Sequence, residues 1–151
     1  EMLYQTKELA AIDFADYVER LTMFLFNFAH SDLQGVTIKN HVRPVSLDIN
    51  TAILCGLMIN ELVTNALKHA FPPGRQGTIW IDFDEQDSVC TLIVRDDGQG
   101  SEADLNDPEQ YSLGLQLVSS FAGQLKGRME YSQENGTVFK VVFARKETVP
   151  G

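Results

Sequence analysis

Basic residues are scarce in this 151-residue chain: 12 Lys and Arg stand against 21 Asp and Glu, a formal net charge of −9. Sequence-independent binding to DNA or RNA depends on neutralising phosphates with Lys and Arg, so nucleic acid is excluded as a partner and any phosphate site must be local. Cysteine is scarcer still. Cys55 and Cys90 lie in apolar surroundings without metal-ligand spacing, and one isolated pair makes no disulfide framework. His30, His41 and His69 are scattered, with no Cys at a zinc-like interval, so nothing supports a structural zinc site. Both thiols read as reduced core residues. No apolar run approaches the roughly 20 residues that span a bilayer. The opening Glu1-Met2-Leu3-Tyr4-Gln5 lacks a basic-then-apolar signal pattern. The chain reads as a soluble cytoplasmic fragment without direct membrane contact. Internal repeats, low-complexity tracts, a GxGxxG turn and a Walker A lysine motif are all missing, so a nucleotide would need another cradle.

What is present is an ordinary globular composition, 44% hydrophobic and 22% charged, at a length suited to one domain with a full core. From Asp13 to about His30 the residues Phe14, Tyr17, Val18, Leu21, Phe24, Leu25 and Phe28 recur at threes and fours, which predicts a helix that Asp13 can cap. Residues 36 to 49 alternate around Pro44 and predict two short strands or a bent one. Asn50 or Thr51 can cap a long helix running to about Phe71, where Pro72-Pro73-Gly74 ends it. Thr78 to Phe83 and Val89 to Val94 form a hairpin through the polar Asp84 to Ser88, and Asp97 to Ser112 is a long acidic loop. A helix from Leu113 to about Lys126 is closed by Gly127, and Arg128 to Ser132 and Thr137 to Phe143 make a last hairpin about Glu134-Asn135-Gly136. This order implies an α+β two-layer sandwich, a mixed or mostly antiparallel sheet with helices on one face.

Chemistry concentrates in four places. On the long helix, Asn60-Glu61-Leu62-Val63-Thr64-Asn65-Ala66-Leu67-Lys68-His69 puts Glu61, Asn65 and Lys68 on one face, a turn apart. A carboxylate, an amide oxygen and an ammonium so placed can polarise a hydroxyl or water, hold a hard divalent cation and meet a phosphate. Asp96-Asp97-Gly98-Gln99-Gly100 follows a strand end, where a carboxylate can accept from an exocyclic amine such as adenine's and the glycines permit close approach. Leu113-Gly114-Leu115-Gln116-Leu117 opens a helix whose first amides suit an anion. Gly136-Thr137 supplies a small turn residue and a hydroxyl at the start of the last strand.

In this order the four pieces resemble the ATP-binding domain of sensor histidine kinases, within the superfamily of gyrase, heat-shock chaperone, histidine kinase and mismatch-repair ATPases. Residues 61 to 69 look like the N box, Asp96 to Gly100 the DxGxG G1 box, Leu113 to Leu117 the G2 box and Gly136-Thr137 the final GT motif. The resemblance covers nearly the whole chain and implies a Bergerat-type fold with ATP and Mg2+ as cofactors. Carried over, it makes Glu61 the candidate base, Asn65 the magnesium ligand, Lys68 a phosphate contact and His69 a further cofactor-binding residue. It makes Asp96 the adenine-reading carboxylate, Gly98 and Gly100 the turn shaping the base pocket, Gly114 and Leu115 the phosphate-proximal backbone, and Thr137 a second adenine contact. The loop between the G boxes becomes the ATP lid.

The chain departs from that pattern in several places. Ser112 stands where the G2 box ordinarily has its first glycine, and the lid carries Tyr111 in place of a Phe-rich F box. The lid also bears Glu102, Asp104, Asp107 and Glu109 without Arg or Lys, so it offers the triphosphate no cation. Trp80-Ile81-Asp82 only approaches the Trp-x-Glu signature of one kinase subgroup. No histidine sits in a phosphoacceptor context; His30-Ser31-Asp32-Leu33 fits poorly, and His30 reads as a helix-end residue.

The expected organisation is therefore 1–11 as the tail of a phosphoacceptor hairpin domain and its linker, 12–146 as the catalytic domain and 147–151 as a short tail. Such a fragment implies a histidine-bearing dimerisation domain of the same protein, a downstream response regulator and a homodimeric intact protein, and it should not label itself alone. Three classes stay open: a histidine-kinase catalytic domain, a superfamily ATPase or anti-sigma-type serine kinase acting on a partner protein, and a nucleotide-binding module without chemistry.

Overall fold

In the computed structural model, which describes residues 11–29, 35–100 and 107–145, the first strand runs directly into the first helix. The leading segment, His30, Glu102, Asp104, Leu105 and the final tail lie outside the described residues, as does the side chain of Phe28. Strand β1 (Ala11–Asp13) is followed by α1 (Phe14–Ala29), and Asp13 Oδ1 accepts the Asp16 amide at 3.2 Å, the cap expected of it. Phe14, Val18 and Leu25 form the buried stripe of α1. Pro44 separates β2 (Val36–Val42) from β3 (Ser46–Asp48), and the two strands join different sheets. β3 pairs antiparallel with β1, Ala11 opposite Asp48.

Helix α2 (Ile49–Asn65) is capped by Asp48, not by Asn50 or Thr51. The Asp48 carboxylate accepts the Thr51 amide at 3.2 Å and its hydroxyl at 2.6 Å, because a cap must stand three residues before the orphan amide it satisfies. The long helix also changes character before it ends: Ala66–Ala70 is a π-turn, which a regular period of 3.6 residues did not foretell.

The remaining elements are β4 (Gly77–Gln86), β5 (Val89–Asp96), a 3-10 turn (Pro108–Gln110), α3 (Leu113–Gln124), β6 (Arg128–Ser132) and β7 (Thr137–Ala144). β4 continues through Asp84, so the first hairpin turns only on Asp87 and Ser88, both at positive φ, the twist that suits a two-residue hairpin. The five-stranded sheet has the order β2-β4-β5-β7-β6, with β2 parallel to β4 and every other pair antiparallel.

Alternation along these strands sends one face inward. Ile79, Ile81 and Phe83 of β4, Cys90, Leu92 and Val94 of β5, and Phe139, Val141 and Phe143 of β7 are buried on it. The helices cover this face; Phe83 packs at a tilt against Phe14 of α1, 4.8 Å between ring centres. Burial pushes the Cys90 thiol up to about 11 and raises Cys55 further, so both free cysteines are inert core residues. On the outer face Arg95 lies 4.2 Å over the Trp80 ring, while Asp82 pairs with His41 at 3.1 Å.

Arg145, just past β7, donates to both Glu85 carboxylate oxygens at 2.8 and 2.6 Å and also to the Ser46 carbonyl. It thereby ties the exit of β7 to β4 and β3. At the opposite end of the sheet Asp96 and Thr137 are cross-strand partners, facing the C-terminal turn of the long helix.

Candidate functional site

A cavity of about 190 Å³ opens at that end, between the end of α2, the start of α3 and the inner face of β5 and β7. Leu62, Ala66, Val94 and Phe139 give it apolar walls, and Asp96 and Thr137 add a carboxylate and a hydroxyl. Six of the residues singled out from the sequence line it: Asn65, His69, Asp96, Gly100, Leu115 and Thr137. Glu61, Lys68, Gly98 and Gly114 do not.

Glu61 and Gly114 nevertheless meet at its edge. A Cβ built on Gly114 would lie 2.8 Å from Glu61 Oε2 and 3.6 Å from Asn65 Oδ1. Glycine at the start of α3 therefore lets this helix approach a carboxylate and an amide oxygen one helical turn apart, where a side chain would collide. These are hard oxygen donors. Among the described residues no group of three His, Cys, Asp or Glu is arranged to hold a metal ion, so a cation here would draw its other ligands from an anion and water.

His69 lines the cavity, as Leu62, Asn65 and Ala66 do at helical spacing, while Lys68 is exposed and lies outside it. Gly98 is buried behind the wall, and its amide donates to Asp96 Oδ1 at 2.9 Å.

Asp96 is only 8% exposed. Burial raises its carboxyl above the ordinary value of 3.8; the amides of Gly98 and Thr137 pull it back, Asp97 pushes it up and Arg75 lowers it. The Asp96 carboxylate is thus a buried acceptor at the inner end of a cavity whose lining mixes apolar and polar side chains.

Sequence reasoning missed several members of the site. Val94 and Phe139 are inward positions of their strands and follow the same alternation as the core, so periodicity alone cannot mark them as cavity walls. Ser112, treated as a departure from the G2 pattern, is the N-cap of α3, its hydroxyl accepting the Leu115 amide at 3.3 Å, and it also lines the cavity. Gln110 joins from the 3-10 turn. Beside this edge Leu113 stands 73% exposed, with Leu117 one turn further along α3.

A family model described as "Histidine kinase-, DNA gyrase B-, and HSP90-like ATPase" matches residues 51–147. The chain is 29% identical over 93% of its length to blue-light-activated histidine kinase 2 of Erythrobacter litoralis, of which it spans 43%. It is 33% identical over 66% of its length to the sensor histidine kinase PdtaS of Mycobacterium tuberculosis, of which it spans 21%. The histidine kinase domain of an Erythrobacter litoralis blue-light-activated kinase superposes with a TM-score of 0.79 at 22% identity, covering 89% of this chain and 67% of that one. That likeness shows the shared fold. With the N box, both G boxes and the GT motif converging on one end of the sandwich, the chain belongs to the histidine kinase-, DNA gyrase B-, and HSP90-like ATPase family, as an ATP-binding catalytic domain of the sensor histidine kinase type.

Proposed function

We propose that this domain binds ATP with Mg2+ and transfers the γ-phosphoryl group to a histidine on a separate dimerisation domain. The observation that supports this most is the meeting of Glu61 and Asn65 with Gly114 at the edge of a cavity whose inner end carries the buried Asp96. In this reading Asp96 accepts the exocyclic amine of adenine and Thr137 makes a second contact to the base. Gly98 and Gly100 shape the loop against which the base lies, and His69 forms part of the wall. The backbone of Gly114 and Leu115 lies nearest the phosphates at the start of α3, where the helix dipole favours negative charge. Lys68 meets the phosphates from outside the cavity.

The residues fit a magnesium ion: Asn65 would hold it together with phosphate oxygens and water, and Mg2+ when bound supplies charge neutralisation to the leaving diphosphate. Glu61 accepts the imidazole proton as the acceptor nitrogen attacks, and orients the ring for that attack. The exposed Leu113 and Leu117 offer an apolar footing for the acceptor helix next to Glu61. The phosphoryl group then passes to a cytoplasmic response regulator, from an intact protein that is a homodimer.

The test is transfer in trans. With radiolabelled ATP, this domain and a matching hairpin domain should give acid-labile, alkali-stable label on the hairpin histidine, and this domain alone should stay unlabelled. Acid-stable label on a partner protein would favour the serine-kinase reading instead.

A further inference from the structure

The π-turn ends with carbonyls that its own helix cannot satisfy. Two of them, on His69 and Ala70, are taken by one residue: the Gln99 backbone amide donates to Ala70 O at 2.9 Å, and its side-chain Nε2 donates to His69 O at 2.7 Å. Gly98 allows this approach, since a Cβ there would stand 2.4 Å from the Ala70 carbonyl oxygen. On its other side the loop is fastened to β4, with Asp97 Oδ1 accepting the Thr78 amide at 2.8 Å, and Arg75 donates to the Asp97 carbonyl at 3.1 Å.

His69 and Ala70 line the cavity, as do Asp96 and Gly100, whereas Gln99 is exposed and outside it. We propose that Gln99 is a positioning residue for nucleotide recognition: its side-chain amide holds the His69–Ala70 wall at a fixed separation from the Asp96 carboxylate, and so sets the width of the base pocket. This rests on the nucleotide-binding reading and adds to it a residue at a spacer position of the DxGxG motif. The chemistry of the position is narrow. Asn is one methylene short of the His69 carbonyl, Glu would set a carboxylate against it, and Met keeps the length while removing the donor.

The test compares wild type, Gln99→Met and Gln99→Lys by titration with adenosine and guanosine, followed by NMR, together with the melting temperature of each unliganded protein. Lys restores a donor of similar reach, and because the nucleosides carry no phosphate its charge adds no attraction. Gln99→Met should weaken adenosine by about five- to tenfold, the range of one neutral hydrogen bond, and narrow the preference for adenosine over guanosine. Gln99→Lys should recover both, while all three proteins melt within about 4 °C of one another. Unchanged affinity and preference in Gln99→Met would overturn the positioning role, as would a loss that Lys leaves uncorrected. Wild type binding neither nucleoside would instead remove the nucleotide reading on which the role depends.

Discussion

Gly114 faces Glu61 so closely that a methyl group at position 114 would stand 2.8 Å from the carboxylate oxygen Oε2. The contact is with the far end of a flexible side chain, so Gly114→Ala can be absorbed by turning Glu61 away. Alanine also favours a helix over glycine by up to about 1 kcal/mol. The variant should therefore melt at or slightly above the wild-type temperature and lose phosphotransfer to a hairpin domain. Wild-type transfer in Gly114→Ala would show that the close approach of α3 to Glu61 is not needed for transfer.

Ligand should stabilise the fold selectively. At about 100 times its dissociation constant, Mg2+–ATP adds roughly 2.7 kcal/mol. For a domain of this size that is about 5–10 °C in a thermal melt. GTP would turn a carbonyl towards Asp96 and should shift the melt much less. Equal shifts for the two nucleotides would remove the adenine-reading role of Asp96.

Acid should weaken nucleotide binding. The Asp96 carboxyl titrates above 3.8 in the unliganded protein because it is buried, and an amine donor favours its ionised form. Binding thus lowers its pKa and releases a proton within the window between the two values. Affinity is full above the free-state value and declines as pH falls through it. The Asp96 contribution to unliganded stability has the opposite sign: its folded value lies above the unfolded one, so that contribution is full below the unfolded value and is lost as pH rises through the folded value. Calorimetry across acidic pH should show the affinity trend in wild type but not in Asp96→Asn, and the stability of unliganded wild type relative to Asp96→Asn should fall as pH rises through the Asp96 value.

Asn65 and Glu61 should separate binding from chemistry. Asn65→Ala should remove mainly the magnesium-dependent part of ATP affinity, measured with and without the metal. Glu61→Gln should bind Mg2+–ATP nearly as wild type but slow transfer by about 100-fold or more, the ordinary contribution of a positioned general base. Full transfer by Glu61→Gln would transfer the base role elsewhere.

Much of the sheet was readable from alternation, because inward residues such as Ile79, Ile81 and Phe83 mark a half-buried strand whatever its partner. The pairing was less so. Nothing local in residues 36 to 49 distinguishes a strand parallel to β4 from one that leaves to meet Ala11, since both are set by contacts distant in sequence. At the site, motif residues were legible where a side chain carries the chemistry, as with Asn65 and Asp96. They were illegible where backbone carries it: the π-turn alters a single turn of the helix, too little to disturb its hydrophobic period, and Gln99 acts on two carbonyls that no sequence displays.

Arg145 gives the domain a mechanical asymmetry. It clasps Glu85 and Ser46 at the end of the sheet remote from Asp96, and β3, which carries Ser46, is the strand to which β1 is zipped. Tension or torque arriving through β1 is therefore shared among β3, β4 and β7 at that far corner, where an ion pair and strand pairing resist it together. The Asp96–Thr137 end of the sheet takes no part in that clasp.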